Sequence, residues 1–208
     1  MVYLFLIGSY LIGSLSFAIL VSKFYNMNDP RTYGSKNAGA TNVMRSGNKK
    51  AAVLTLSGDL LKGALVLWVA KYYFIHTSNG ESIVALCGIL AVIGHIYPIF
   101  FKFKGGKGVA TSIGVILGIN PILALLLVVT WGIIFKLSKV SSLSALIASI
   151  MSPIYAFILM GNNAYFGAVL LISFFILFTH KGNIYRLIAK EEYKFGNRSN
   201  SNNKLDKK

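Results

Sequence analysis

The run VATSIGVILGINPILALLLVVTWGIIF, Val109 to Phe135, decides how the whole chain folds. Read as one helix, it crosses a bilayer once. Read as two helices meeting at Asn120-Pro121, it goes in and comes back out on the same side. Proline has no N–H and disfavours helix at the residue before it, so a break there is expected. If the run crosses once, the Lys136/Lys139 loop and the basic C-terminal segment fall on the side opposite the earlier basic loops. If it doubles back, segments 23–50, 102–108, 136–139 and 181–208 share one face. They hold six, three, two and eight Lys or Arg, which is nineteen of the twenty-one in the chain. Basic residues collect on the cytoplasmic side of membrane proteins, so the broken reading is adopted. It predicts two half-membrane helices of about 10–15 residues, too short to span comfortably and therefore packed inside the bundle.

Working outward, the other apolar runs are Tyr3–Ser22, Ala51–Tyr73, Ile83–Phe101, Ser141–Met160 and Ala164–Thr179. Each is long enough, or nearly so, to cross hydrocarbon at ~1.5 Å per residue. No Lys or Arg precedes the first run and Lys23 follows it, which reads as a retained first helix with the N-terminus outside. The expected fold is an all-α integral membrane protein of about seven transmembrane or half-membrane helices, N-terminus outside and C-terminus cytoplasmic. Residues 1–195 form one polytopic domain. Residues 196–208, rich in Asn, Ser and Lys, are expected to be a disordered basic cytoplasmic tail.

Composition agrees. The 208 residues are 55% hydrophobic with mean hydropathy +0.64, above the usual share for soluble domains. The net charge of +15 lies in the breaks between apolar runs, a membrane-topology pattern and not a nucleic-acid face. The single Cys87 excludes an intrachain disulfide and a multi-cysteine metal site.

Four constellations carry possible chemistry. Lys102-Phe103-Lys104-Gly105-Gly106-Lys107-Gly108 sets three glycines among three lysines. Its N–H groups could form an anion-binding nest, or the segment could be a tight turn whose lysines only obey topology; both readings stand on the loop alone. The stretch from Gly34 to Arg45 offers Ser35, Asn37, Thr41 and Asn42 as hydroxyl and amide groups and ends in a guanidinium suited to phosphate. Asp59 and Lys62, three apart within a span, lie on one helix face and read as a structural ion pair. His180 ends the last span with Asn183 on the same face if the helix continues, and could act as base or phosphate donor. His95 is read as a packed residue, and Ser142 as a cap or anion ligand at the start of its helix. No Walker loop, G-x-S-x-G elbow, His-x4-Asp motif or metal cluster is present.

In order, Ser35-x-Asn37-x-Gly39-x-Thr41-Asn42-x-x-Arg45, then Gly105-Gly106-Lys107-Gly108-Val109-Ala110-Thr111, then His180-x-x-Asn183-Ile184-x-Arg186-Leu187 resemble the bacterial membrane acyl-phosphate:glycerol-3-phosphate acyltransferases. Weaker matches are Asp59-x-Leu61-Lys62-Gly63, Gly94-His95-x-x-Pro98 and Ser142-Leu143. The resemblance covers roughly residues 10–194 and departs at Ser16, at Lys181 and in the Lys190–Lys194 stretch. It implies transfer of a fatty acyl group from acyl phosphate to the sn-1 hydroxyl of glycerol 3-phosphate. The products are lysophosphatidate and inorganic phosphate, the first step of phospholipid synthesis. The implied setting is the bacterial inner membrane, with no cofactor or metal, no nucleic acid, membrane lipid as surroundings and an acyl-phosphate-forming enzyme as a further partner. On this reading Arg45, Lys104 and Ser35 hold glycerol 3-phosphate. The Gly105–Gly108 nest, Lys107 and the Thr41-Asn42 backbone hold the acyl phosphate head, with Ser142 and Asn183 as further donors. The catalytic set is His180, Lys104 and Asn183, and the proton goes either to His180 or to a substrate phosphate oxygen. A transporter for a phosphorylated solute is the rival class; only the Asn120-Pro121 break fits it.

Overall fold

The computed structural model describes residues 1–195; the expected disordered tail, 196–208, lies outside the described residues. Among them the fold is all-helical. In chain order the helices are α1 (Val2–Gly13), α2 (Phe17–Phe24), α3 (Ala40–Arg45), α4 (Lys49–Phe74), α5 (Gly80–Ile96), α6 (Val109–Ile119), α7 (Pro121–Ser138), α8 (Ser141–Met160), α9 (Ala164–Thr179) and α10 (Lys181–Ile188). A 3-10 turn, Ile99–Phe101, follows α5. Helices dominate because hydrocarbon offers no partner to a bare N–H or C=O, so each backbone group must be satisfied within its own segment.

The break at Asn120-Pro121 is present. Proline occupies the first position of α7, and the Asn120 side chain accepts hydrogen bonds from the Ile122 and Leu123 amides at 2.9 and 3.1 Å. The two halves differ from expectation. Helix α6, with 11 residues, is buried against α4, α5, α7 and α9, as a half-membrane helix should be. Helix α7 does not stop at Phe135. It runs 18 residues to Ser138, long and apolar enough to cross, and only 17% of that stretch is buried. Lys139 at its end adopts a left-handed conformation (φ 59°), which stops the helix. So α7 is a peripheral span and not an interior half-helix.

The first run also departs from expectation. Instead of one helix over Tyr3–Ser22, α1 and α2 meet at an angle of 47°. Ser16 is extended (ψ 97°), and the freed carbonyl of Leu15 accepts a 2.6 Å hydrogen bond from Lys62 Nζ. The Ile83–Phe101 span likewise ends early at Ile96, with Pro98 starting the 3-10 turn.

Close helix crossings are made by small residues. A methyl at Gly114 would collide with the Leu60 carbonyl, and one at Gly94 with the Tyr10 carbonyl. Helices α4 and α6, and α1 and α5, therefore touch backbone to backbone, the usual way for helices to gain packing in lipid. The apolar core runs from Val66 and Leu67 through Val92 and Val115 to Leu123 and Ile172. Expected outcome: Gly114→Ala lowers stability by about 1–3 kcal/mol through overpacking. Gly8→Ala, where no atom lies within reach of the added methyl, is near neutral. Thermal unfolding of both variants in the same detergent checks this.

Candidate functional site

Four chain segments far apart in sequence converge on one cavity of about 390 Å³. Its polar end is lined by Ser35, Asn37, Thr41, Asn42, Arg45, Lys107, Gly108, Ser142, His180 and Asn183, with Glu192 and Tyr193 beside them. Its other walls, Leu60, Ile116, Leu127, Trp131 and Ile172 among them, are apolar. The basic segments that topology assigned to one face do meet at one end of the bundle.

Helix α3 presents the first segment. Arg45, in its last turn, lies over the Tyr193 ring at 4.2 Å from the centroid, and its Nε is buried with no hydrogen-bond partner among the described residues. Burial pushes its pKa down, and the nearby Tyr193 and Glu192 oppose that. Thr41 Oγ1 meets Ser141 Oγ at 3.2 Å, joining α3 to the start of α8. One residue on, Ser142 Oγ is also buried and unpartnered; it does not cap α8. Asn42 departs from its expected role. Its amide donates to Pro30 O (2.6 Å) and Tyr33 O (3.1 Å), and its oxygen accepts from the Ser35 N–H (2.9 Å). With all three groups spent, Asn42 is the clamp that shapes the loop presenting Ser35.

The glycine–lysine loop is corrected more sharply. The Gly105 N–H donates to Ile96 O (3.2 Å) and the Gly106 N–H to His95 O (3.1 Å), the last carbonyls of α5. Helix ends leave such carbonyls without intrahelical partners, and these two amides satisfy them. Gly105 and Gly106 are thus not members of an open nest. They are glycines because a side chain at either would strike the end of α5. Only Gly108 uses glycine's freedom at positive φ (88°), where it opens α6. Lys104 is exposed and outside the cavity lining, since the chain turns through positive φ at Lys102 and Phe103 just before it.

Lys107 does face inward. Its Nζ donates to Asn183 Oδ1, Asn183 Nδ2 donates to Glu192 Oε1 (2.9 Å), and Glu192 Oε2 takes the Arg186 guanidinium at 2.8 Å. Asn183 reaches this chain because α10 continues from α9 with a bend of 56° at His180. Burial lowers the Lys107 pKa to about 8 against the pull of Glu192. His180 is buried, and its Nδ1 lies 2.8 Å from Ile176 O. A carbonyl can only accept, so Nδ1 carries the hydrogen and Nε2 keeps its lone pair. Burial first, and then the Lys107 charge, bring its pKa down to about 4. Neutral His180 is therefore an acceptor at physiological pH.

Asp59 and Lys62 form the expected ion pair, 2.9 Å apart and both about 2% exposed. Four further residues belong to the cavity that the sequence does not assign to it. Glu192 and Tyr193 close the cavity; the available signal was that Glu192 is one of only six acidic residues, next to a cationic site. His95 and Asp59 also line the cavity, although His95 reads from sequence as mere packing.

The cavity's charge balance is decisive. Asp59 and Glu192 are each engaged by their own cation, Lys62 and Arg186. Among the described residues Arg45 and Lys107 are not paired with a carboxylate, so the site favours anions. Anion affinity should depend on Lys107. Below its pKa it is charged and binds; as pH rises through about 8 it loses the proton and that contribution. Inorganic phosphate binding, followed by titration calorimetry, should weaken about tenfold or more over this range, and Lys107→Arg should remove the fall.

Comparison with known proteins agrees with this geometry. The family model described as Glycerol-3-phosphate acyltransferase matches residues 3–190. A glycerol-3-phosphate acyltransferase of Chromobacterium violaceum is 47% identical over 200 residues, spanning 96% of this chain and 97% of that one. One from Neisseria meningitidis serogroup C is 50% identical over 188 residues, spanning 90% and 94%. Among solved structures, PlsY (YgiH), an integral membrane glycerol 3-phosphate acyltransferase, matches in its glycerol 3-phosphate form with TM-score 0.88 and 35% identity. That match covers 94% of this chain and 96% of that one. Its lysophosphatidic acid form matches with TM-score 0.86 and 34% identity, covering 94% and 95%. With the fold, the converging motifs and these relatives in agreement, the chain belongs to the glycerol-3-phosphate acyltransferase family.

Proposed function

We propose that the cavity binds glycerol 3-phosphate together with a fatty acyl phosphate and transfers the acyl group to the sn-1 hydroxyl. One observation carries this reading. Two cations without carboxylate partners among the described residues, Arg45 and Lys107, share a single cavity with an apolar wall. Arg45 Nε and Ser142 Oγ, buried and unpartnered, are donors a phosphate can satisfy. Arg45, Ser35 and Ser142 hold glycerol 3-phosphate. Lys107 and the first amides of α6, at Gly108 to Ala110, hold the acyl phosphate head, since a helix N-terminus attracts anions. Lys104 contributes from solvent, as a charge that draws anionic substrates in.

Helix rise supports the acyl donor. Along α8 the lining runs from Ser142 to Ser152, about 15 Å from the polar end. That depth suits an extended hydrocarbon chain with its head at the cations. The distribution of basic residues supports a cytoplasmic opening, with the N-terminus outside.

In the reaction, the hydroxyl oxygen of glycerol 3-phosphate forms a bond to the acyl carbon as the bond from that carbon to the phosphate oxygen breaks. Phosphate leaves with the electron pair. Magnitudes choose the proton's destination. His180, at about 4, is a weaker base than a phosphate whose second pKa is about 6. His180 Nε2 therefore orients the hydroxyl, and a phosphate oxygen takes its proton. Asn183 holds Lys107 in place.

Purified protein given acyl phosphate and glycerol 3-phosphate should yield lysophosphatidate and inorganic phosphate, and acyl-CoA should not substitute. No product from the wild type sinks the reading. Arg45→Ala should raise the KM for glycerol 3-phosphate about 10- to 100-fold, the worth of a charge-assisted contact. His180→Ala should lose rate yet keep measurable turnover with an unchanged acid limb; disappearance of that limb would assign the proton to the histidine.

A further inference from the structure

His95 is the second buried histidine of the cavity, and the reaction above does not use it. It lies at the end of α5, is 5% exposed and lines the cavity. Its side-chain contacts converge on Nδ1. Lys62 Nζ is 3.1 Å away, Thr111 Oγ1 3.1 Å and Asp59 Oδ1 3.4 Å. These groups compete for one nitrogen, and geometry orders them. The ammonium is nearer than the carboxylate, with which it forms an ion pair at 2.9 Å. An ammonium has only hydrogens to offer, so Nδ1 facing it supplies the lone pair. The hydrogen of the neutral ring then sits on Nε2.

The other edge of the ring is placed accordingly. A methyl at Gly106 would collide with His95 Nε2 and would also approach the Ala38 carbonyl. Nε2 therefore lies at the seam between the glycine–lysine loop and the segment leading into α3, the two stretches that present Lys107 and Arg45. The cavity's histidines thus have opposite polarity. His180 offers a lone pair because a carbonyl holds its Nδ1 hydrogen, whereas His95 offers an N–H because an ammonium faces its Nδ1.

We propose that His95 Nε2–H is a hydrogen-bond donor to the acyl carbonyl oxygen, stabilising the negative charge that collects there as the hydroxyl attacks. The inference rests on the acyl-phosphate reading above. As the new carbon–oxygen bond forms, the carbonyl π electrons move onto that oxygen. They return as the carbon–phosphate-oxygen bond breaks and phosphate departs, so His95 keeps its proton throughout. Its position favours the acyl donor over glycerol 3-phosphate. Its neighbour Asp59 lies about 15 Å along α4 from Lys49, on the side where the apolar wall begins. The substrate whose reacting carbonyl is attached to a chain lying along that wall is the one that meets this N–H. Lys62 is then a positioning residue: it selects the histidine tautomer, and Asp59 holds Lys62.

Two measurements test this. Ring-15N-labelled protein, with the three histidines separated by His76→Gln and His180→Gln, should show a protonated Nε2 on His95 and an unprotonated Nε2 on His180. An unprotonated Nε2 on His95 overturns the proposal. In kinetics, His95→Ala should lower kcat about 10²- to 10³-fold, as loss of one preorganised donor does, with the KM for glycerol 3-phosphate within about threefold of wild type. His95→Gln, whose amide carries an N–H, should recover part of the loss. If His95→Ala does not fold, His95→Gln is compared directly with a folded His95→Leu. A folded variant lacking the donor but keeping kcat within about threefold, or one changed only in its KM for glycerol 3-phosphate, overturns the proposal. A wild type inactive with acyl phosphate defeats the acyl-phosphate reading and this role with it. An active wild type with an equally active donor-free variant defeats this role alone.

Discussion

A single ammonium in the bilayer constrains much of this structure. Lys62 is 3% exposed, and a cation so placed must find oxygen or nitrogen partners within the bundle. It finds them on three other elements or positions: the Leu15 carbonyl where α1 gives way to α2, Asp59 one turn earlier in α4, and His95 in α5. The α1–α2 break frees the Leu15 carbonyl that Lys62 takes. Thr111, also bonded to His95, draws α6 into the same cluster. Removing one member would strand a buried charge, at a cost of about 3–5 kcal/mol, so the cluster holds as a set.

The same economy of polar groups shapes the site. The end of α5 leaves carbonyls that need donors, and the Gly105 and Gly106 amides provide them. This ties the loop carrying Lys107 to the helix carrying His95. Asn42 does the equivalent for the loop carrying Ser35, spending its whole amide on backbone. Groups left over after these internal needs, chiefly Arg45, Lys107, Ser142 and His180 Nε2, are the ones the proposed reaction gives to substrate. Tyr193 and Glu192 then cover them, the first through its ring against Arg45 and the second by tethering Asn183 to Arg186.

Hydropathy and charge made the helices, the Asn120-Pro121 break and the convergence of four basic segments legible along the chain. Those are local properties, because a bilayer selects for apolar length and sorts cations one segment at a time. Two helices depart from that pattern, one for a local reason and one for a distant one. Helix α7 continued past Phe135 because Lys136 and Leu137 still suit a helix end near the interface, and the first span broke because a distant lysine takes its Leu15 carbonyl.

What the sequence by itself determined was the membrane fold, the pairing of Asp59 with Lys62 one turn apart, and the roster of groups that could hold phosphate. Only the tertiary structure decided which of those groups are free. It spent Gly105, Gly106 and Asn42 on backbone, left Lys104 in solvent and brought in Glu192. The reason is that a hydrogen bond is settled by both its ends. Here those ends lie far apart in sequence, 47 residues from Leu15 to Lys62, 33 from Lys62 to His95 and 76 from Lys107 to Asn183.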